Sequence, residues 1–258
     1  MVSFISLVSG SSGNASFLSD GKTNILIDCG LSGKQLAAAL ECAGFRADEL
    51  DAVLVTHEHT DHIKGAGVIA RRYKLPVYAT APTIEAMDIG RVERLVPVVP
   101  GIAFEIGTIG VRPFSIPHDA ADPVGYRFEA GGEYLAIATD IGRMNGDIME
   151  NLRGCRRLIL ESNHDCRMLE CGPYPYSLKK RIRGELGHLS NDEAAAAAVE
   201  LIRSGTEHIL LGHLSRENNM PQLAKITAES AAELAGIRPG YDAVINVASR
   251  HSITAVSS

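Results

Sequence analysis

Residues 56–62 read THEHTDH and follow directly on the apolar run AVLV. In extended chain His57 and His59, at i and i+2, project to the same side. A helical pattern starts just after them, so Asp61 and His62 turn back toward that point. Three imidazoles and a carboxylate within six positions are ligand chemistry for Zn, Mn or Fe, and a site this rich can hold two ions. A polar helix cap with surface histidines is the plainer alternative, but it is a poor use of a chain with nine histidines. The fold must therefore end a buried strand at this segment and bring more ligands to it from elsewhere.

The rest of the chain supplies such strands. FISLV (4–8), NILID (24–28), AVLVTH (52–57), PVYAT (76–80), RLILES (157–162) and HILLGH (208–213) read as buried strands. Helical patterns over 32–44, 62–74 and 192–205 stop at Gly44, before Pro76 and at Gly205. Residues 102–140 alternate around GT and GG turns, which predicts antiparallel hairpins. This order fits mixed sheets flanked by helices in a single domain over 1–258. Further candidate ligands stand at strand ends: His118 after FSIP, Asp140 after AIAT and His213 after HILLG. Each alone reads as a loop or turn residue; with THEHTDH they complete two ligand sets.

LGHLS occurs at 186–190 and again at 211–215. The second copy closes a strand, which suits His213 as a ligand. In the first, Ser190 and Glu193 form an S-x-x-E capping box, so His188 sits just ahead of a helix start, a position suited to phosphate. His164, after RLILES, is the alternative to His213 as a ligand.

Net charge is −6, so a nucleic acid would have to be met by a local patch. Residues 174–184, YPYSLKKRIRG, interleave Tyr174 and Tyr176 with Lys179, Lys180, Arg181 and Arg183, which suits backbone tracking and base stacking. A solvated helix face has the same composition. The loop SGSSGN (9–14) can turn Ser11, Ser12 and Asn14 toward phosphate, although a plain hairpin turn fits as well. Arg216 and Asn218 are candidate phosphate contacts of the same weight. No stretch approaches the roughly 20 apolar residues of a membrane span. The N-terminal MVSFISLVSGSSG reads as a strand and turn, which predicts a cytoplasmic protein with five reduced cysteines. HDCRMLEC (164–171) reads as a helix or loop segment with incidental thiols.

HEHTDH with Asp28, His118, Asp140 and His213 resembles the metallo-β-lactamase superfamily, over nearly the whole chain. The resemblance implies a four-layer αββα sandwich holding two divalent ions. By it, His57, His59 and His118 bind one ion, Asp61, His62 and His213 bind the other, and Asp140 bridges them. Asp28 supports a ligand-bearing loop without ligating. SLVSGSSGNA, ESNHD, the segment YPYSLKKRIRGELGHLSNDEAA and LGHLSRENN resemble the YycJ/WalJ exonuclease group, in the branch that includes ribonuclease Z and PhnP. Only 21 residues separate His118 from Asp140, which leaves no room for the tRNA-gripping arm of ribonuclease Z. The implied activity is 5′ to 3′ hydrolysis from DNA ends by a metal-bridging hydroxide, with Asp61 orienting it. His188 then protonates the leaving oxygen or holds the scissile phosphate. A small-molecule (cyclic) phosphodiesterase, a glyoxalase II-type thioester hydrolase and a catalytically silent binding module are the alternatives.

Overall fold

Two seven-stranded sheets carry the chain, and each is antiparallel along one half and parallel along the other. The computed structural model describes residues 2–256. The first sheet starts with the antiparallel strands β1 (Ser3–Val8), β2 (Ala15–Ser19) and β3 (Asn24–Ile27). It continues in parallel through β4 (Ala52–Leu54), β5 (Val77–Thr80) and β6 (Leu95–Val98). The second sheet repeats the scheme. Its meander is β7 (Phe104–Ile106), β8 (Ile109–Ser115), β9 (Val124–Ala130) and β10 (Glu133–Ala138), the hairpin block expected from the turns. Its parallel half is β11 (Arg157–Glu161), β12 (His208–Gly212) and β13 (Val244–Val247). The last strand, β14 (Thr254–Ala255), returns to pair with β1.

Alternation along these strands sets the layers, because successive side chains face opposite sides of a sheet. Ile25 and Ile27 of β3 and Ala52 and Leu54 of β4 join Ile159 and Leu210 of the second sheet in a core between the sheets. Leu26 and Val53 face outward and pack under the helices α1 (Gly33–Cys42) and α3 (Ala66–Tyr73). In the second sheet Leu158, Leu160, Ile209 and Leu211 face outward. They pack under α5 (Gly146–Leu152), α8 (Asn191–Arg203) and α9 (Pro221–Leu234). Three cores between four layers make the αββα sandwich. Strands buried on both faces also explain why they read as unbroken apolar runs.

Short helices complete the element order: α2 (Thr60–Ile63), α4 (Ala81–Ala86), α6 (Cys166–Cys171) and α7 (Tyr176–Ile182). The helix expected over 62–74 is two helices, α2 and α3, broken at Lys64 and Gly65. A Cβ on Gly65 would lie 2.1 Å from the Leu31 carbonyl oxygen and 2.7 Å from Cys29 Sγ. The break lets α2 dock on the end of β3, where Cys29 N–H donates to the His62 carbonyl at 2.6 Å. The capping box at α8 is formed: Glu193 N–H donates to Ser190 Oγ and Ser190 N–H to Glu193 Oε2. HDCRMLEC forms α6 with Asp165 as its cap, and its two thiols are free and exposed. Among the described residues no helix is long and apolar enough to cross a membrane.

Candidate metal centre

Strand direction brings the candidate side chains to one edge. β8 and β10 both run antiparallel to β9, and β10, β11 and β12 are parallel. Their C-terminal ends, which lead to His118, Asp140, Glu161 and His213, therefore lie on the same side. In the first sheet the parallel pair β3 and β4 ends at Asp28 and leads to His57. The two sheets are tied at this edge, where Val124 N–H donates to the Thr56 carbonyl and Tyr126 OH to that of Val55. Asp28, Asp140 and His213 leave their strands with φ of 58°, 60° and 54°. That left-handed conformation costs non-glycine residues roughly 1–3 kcal/mol each and clusters at functional sites.

Nine side chains form four overlapping groups whose ligand atoms lie within 4.8 Å of one another: His57, His59 and His118; Asp61, His62 and His213; Asp140 with His57 and His62; and Asp140 with Glu161, His188 and His213. His62 Nε2 is 3.3 Å from Asp140 Oδ2 and 3.5 Å from Asp61 Oδ2. His57 Nε2, Asp140 Oδ2 and His213 Nε2 are buried without a hydrogen-bond partner. Leaving such atoms unpaired costs about 1–3 kcal/mol apiece. Imidazole nitrogens and carboxylate oxygens that converge in this way fit divalent cations.

In His57, His118, His62 and His213 the opposite ring nitrogen is occupied. His57 Nδ1 is 3.0 Å from Thr56 Oγ1, His118 Nδ1 is 3.0 Å from the Gly187 carbonyl, and His62 Nδ1 is 2.8 Å from Asp28 Oδ2. Asp28 also accepts from Thr56 N–H and Thr56 Oγ1, both at 2.8 Å, so it orients His62 and leaves the cluster to others. Such contacts fix each ring's tautomer and present Nε2 to the centre. Asn14 Nδ2 lies 3.2 Å from Asp61 Oδ2, and Asn14 N–H donates to the Asp61 carbonyl at 2.8 Å. Gly30 is needed beside it, because a Cβ there would sit 1.8 Å from that carbonyl oxygen.

Sequence reasoning missed Glu161. It is fully buried. Its Oε1 accepts from His188 Nδ1 at 2.9 Å and from His213 Nδ1 at 2.8 Å, while Oε2 accepts from the backbone N–H groups of Ile141 and Leu189. One carboxylate thus holds both LGHLS histidines. Its signal in the sequence was a carboxylate directly closing the apolar run Leu158–Leu160. His213 is buried, but the His188 side chain is 19% exposed and lines a cleft of ≈ 230 Å³ with Ser11, Asp61, Tyr174 and Arg181.

Charges in the cluster oppose one another. Burial, with the His62 charge beside it, holds His57 well below the ordinary imidazole range. At His62 the same burial is outweighed by Asp140 and Asp28, which lift it to about 9. Asp140 and Asp61 likewise raise His213 against its burial. Against its own burial, Asp61 is pulled below the usual carboxylate range by His213 and His62.

Other sequence candidates fall outside this centre. His164 is buried apart from the ligand groups, pushed down to about 4 by burial, and its carbonyl accepts from Asn191 N–H. Asn218 is fully enclosed, with its amide on Ser215 Oγ, and cannot meet a phosphate as expected. Arg216 stands in solvent beside Glu217 and does not line the cleft. Asn14 is buried against Asp61 and His62, which replaces the expected phosphate contact by a positioning one. Ser11 lines the cleft, whereas Ser12 lines a neighbouring groove. Arg181 lines the cleft in an ion pair with Asp119. Lys179 and Arg183 donate to the Glu170 and Cys166 carbonyls, and Lys180 is exposed.

The chain belongs to the beta-lactamase superfamily, whose domain profile matches residues 23–214, and with its named relatives this makes it a hydrolase. Its relatives are more specific. The chain is 40% identical to the exodeoxyribonuclease YycJ of Bacillus anthracis over 242 residues, 92% of this chain and 91% of that one. It is 39% identical to the exodeoxyribonuclease WalJ of Streptococcus pneumoniae serotype 2 over 246 residues, 92% and 90% of the two chains. The metallo-β-lactamase fold protein YhfI from Bacillus subtilis superposes with a TM-score of 0.72, covering 99% of this chain and 100% of that one at 16% identity. At that identity the likeness speaks to the fold alone.

Two outcomes follow from the buried charges. In Glu161→Gln the amide NH₂ must face either two imidazole N–H groups or two backbone N–H groups. Urea unfolding of the metal-free variant should show a loss of roughly 3–5 kcal/mol; unchanged stability would make Glu161 a bystander. At about pH 7.5 the metal-free protein carries a proton on His62, since its pKa is raised to about 9. Calorimetric Zn²⁺ titration in buffers of different ionisation enthalpy should therefore record release of about one proton or more, and apparent affinity should fall between pH 8 and pH 6.

Proposed function

We propose that the chain is a dinuclear metal-dependent phosphodiesterase that removes nucleotides from DNA 5′ ends in the 5′ to 3′ direction, in the cytoplasm. The observation that carries this reading is the pair of three-residue ligand groups joined through Asp140 and set beside the Glu161–His188 pair. The DNA substrate comes from the exodeoxyribonuclease relatives, which match along nine-tenths of both chains.

His57, His59 and His118 would hold one ion, Asp61, His62 and His213 the other, with Asp140 shared; Zn, Mn and Fe all suit this donor set. Such ions supply a nucleophile at neutral pH and neutralise charge on the phosphate oxygens. The chain's own residues do the rest. Asp61, fixed by Asn14, orients the attacking water at the floor of the cleft. As the bond from phosphorus to the leaving oxygen breaks, that oxygen takes a proton from His188 Nε2. Glu161 accepts from His188 Nδ1–H, which fixes the ring against the cleft and leaves Nε2 as the nitrogen through which the proton is passed.

With Mn²⁺ added, the protein should release mononucleotides from a 5′-phosphorylated DNA duplex. His188→Ala should retain both metals and lose about 10²–10⁴-fold of that rate. It should lose far less on bis(p-nitrophenyl) phosphate, because p-nitrophenolate leaves without needing a proton. Hydrolysis of the small diester with no release from DNA would move the protein to the small-molecule phosphodiesterases. Loss of a metal in His188→Ala would overturn the assigned role.

A further inference from the structure

The loop 9–14 has two sides. Ser11 lines the metal cleft, while Ser12 and Gly13 line a second groove of ≈ 620 Å³ between α1 and residues 250–253. Leu7, Leu31 and Ile253 give this groove an apolar floor. Lys64, Arg250 and His251 also line it, and no carboxylate does.

For a chain of net charge −6 that lining is unusual. The cavity beside Arg112 and Arg127 contains Glu129, Asp147 and Glu150, and the basic pocket around Arg71 and Arg94 contains Glu93. Lys64 follows the α2 turn that carries Asp61 and His62, and its exposed ammonium has no ion-pair partner among the described residues. Arg250 donates to the carbonyl of Leu214, next to His213, and lies against Gly10. The groove is therefore built onto the same segments as the metal centre and is separated from it by one loop.

The small cleft and the large groove differ in chemistry as well as size. An exonuclease must hold the strand beyond the nucleotide it removes. Single strands are held by a cationic track together with apolar side chains against which bases pack, aromatic in most such sites and aliphatic in this groove. The basic segment at α7 offers less than its composition suggests, because Lys179, Arg181 and Arg183 already donate to protein acceptors. Lys64 is uncommitted.

We infer that the groove between α1 and residues 250–253 is a second nucleotide subsite. It takes the single strand adjoining the nucleotide in the metal cleft, with a base on the apolar floor and a phosphate at Lys64. The inference rests on the exonuclease reading above and adds the path of the polymer.

The test uses the Mn²⁺-loaded enzyme on three substrates: bis(p-nitrophenyl) phosphate, a 5′-phosphorylated dinucleotide and a 5′-phosphorylated single-stranded octanucleotide. Lys64→Glu and Ala38→Glu, both at exposed positions, put a carboxylate into the groove from two different elements. Lys225→Glu makes the same charge change on α9, outside the groove. Each groove variant should raise KM for the octanucleotide by about tenfold and flatten its salt dependence by about one unit of slope in Lys64→Glu. Bis(p-nitrophenyl) phosphate, which cannot reach the groove, should be hydrolysed as by the wild type. The dinucleotide, whose second nucleotide enters the groove, should show a rise in KM in the same direction, and Lys225→Glu should leave all three unchanged. An active enzyme whose octanucleotide KM stays the same in both groove variants overturns the subsite and leaves the exonuclease reading intact. So does an enzyme that degrades duplex ends but ignores the single strand. A wild type inert on every nucleic acid overturns both readings.

Discussion

Glu161 accepts four hydrogen bonds while fully buried, two from imidazoles and two from backbone amides. The arrangement of the centre depends on it. A single carboxylate oxygen fixes His188 and His213, which come from segments 25 residues apart that carry the same five-letter motif. What separates their roles is the other nitrogen of each ring. His213 is enclosed and turns Nε2 toward Asp61, whereas His188 stands at the wall of the cleft. Both histidines meet Glu161, and they differ in what lies on the far side of the ring.

A centre of this kind is costly to the folded chain without cations. Three buried ligand atoms have no partner, and three strand ends adopt left-handed backbone. Each term is of order 1–3 kcal/mol. The four layers supply the offset: cores on both faces of both sheets hold the strand ends rigid, and His213 N–H is pinned by Ser9 Oγ at 2.8 Å. A bound divalent cation would relieve such unpaired atoms, which would link metal affinity to folding stability. The 9–14 loop stands between cleft and groove, with Ser11 on one side and Ser12 and Gly13 on the other.

Legibility in the sequence followed the range of the interactions. Strands buried on both faces write continuous apolar runs, and the hairpins declare themselves by GT and GG turns. THEHTDH is legible because most of its donors sit within six positions. The break between α2 and α3 is hidden, since Gly65 fits the helical period and shows its purpose only against Leu31 and Cys29. Glu161 is hidden for a similar reason: RLILES reads as a strand, and its imidazole partners are 27 and 52 residues away. Arg216 and Asn218 show the opposite error, in which nearness to His213 in sequence stands in for nearness in space. The turn after His213 folds inward, so Asn218 is enclosed and Asn219 donates to the Ser162 and Asn163 carbonyls.

The central claim, that both sheets deliver ligands to two ions at one shared edge, is tested most directly by metal stoichiometry. Elemental analysis of the Zn²⁺- or Mn²⁺-reconstituted wild type, His118→Ala and His213→Ala proteins separates the two ligand groups. The account predicts two ions per chain in the wild type and one in each variant, with the fold retained by circular dichroism. A folded wild type that binds a single ion, or a His213→Ala protein that keeps two, would contradict it.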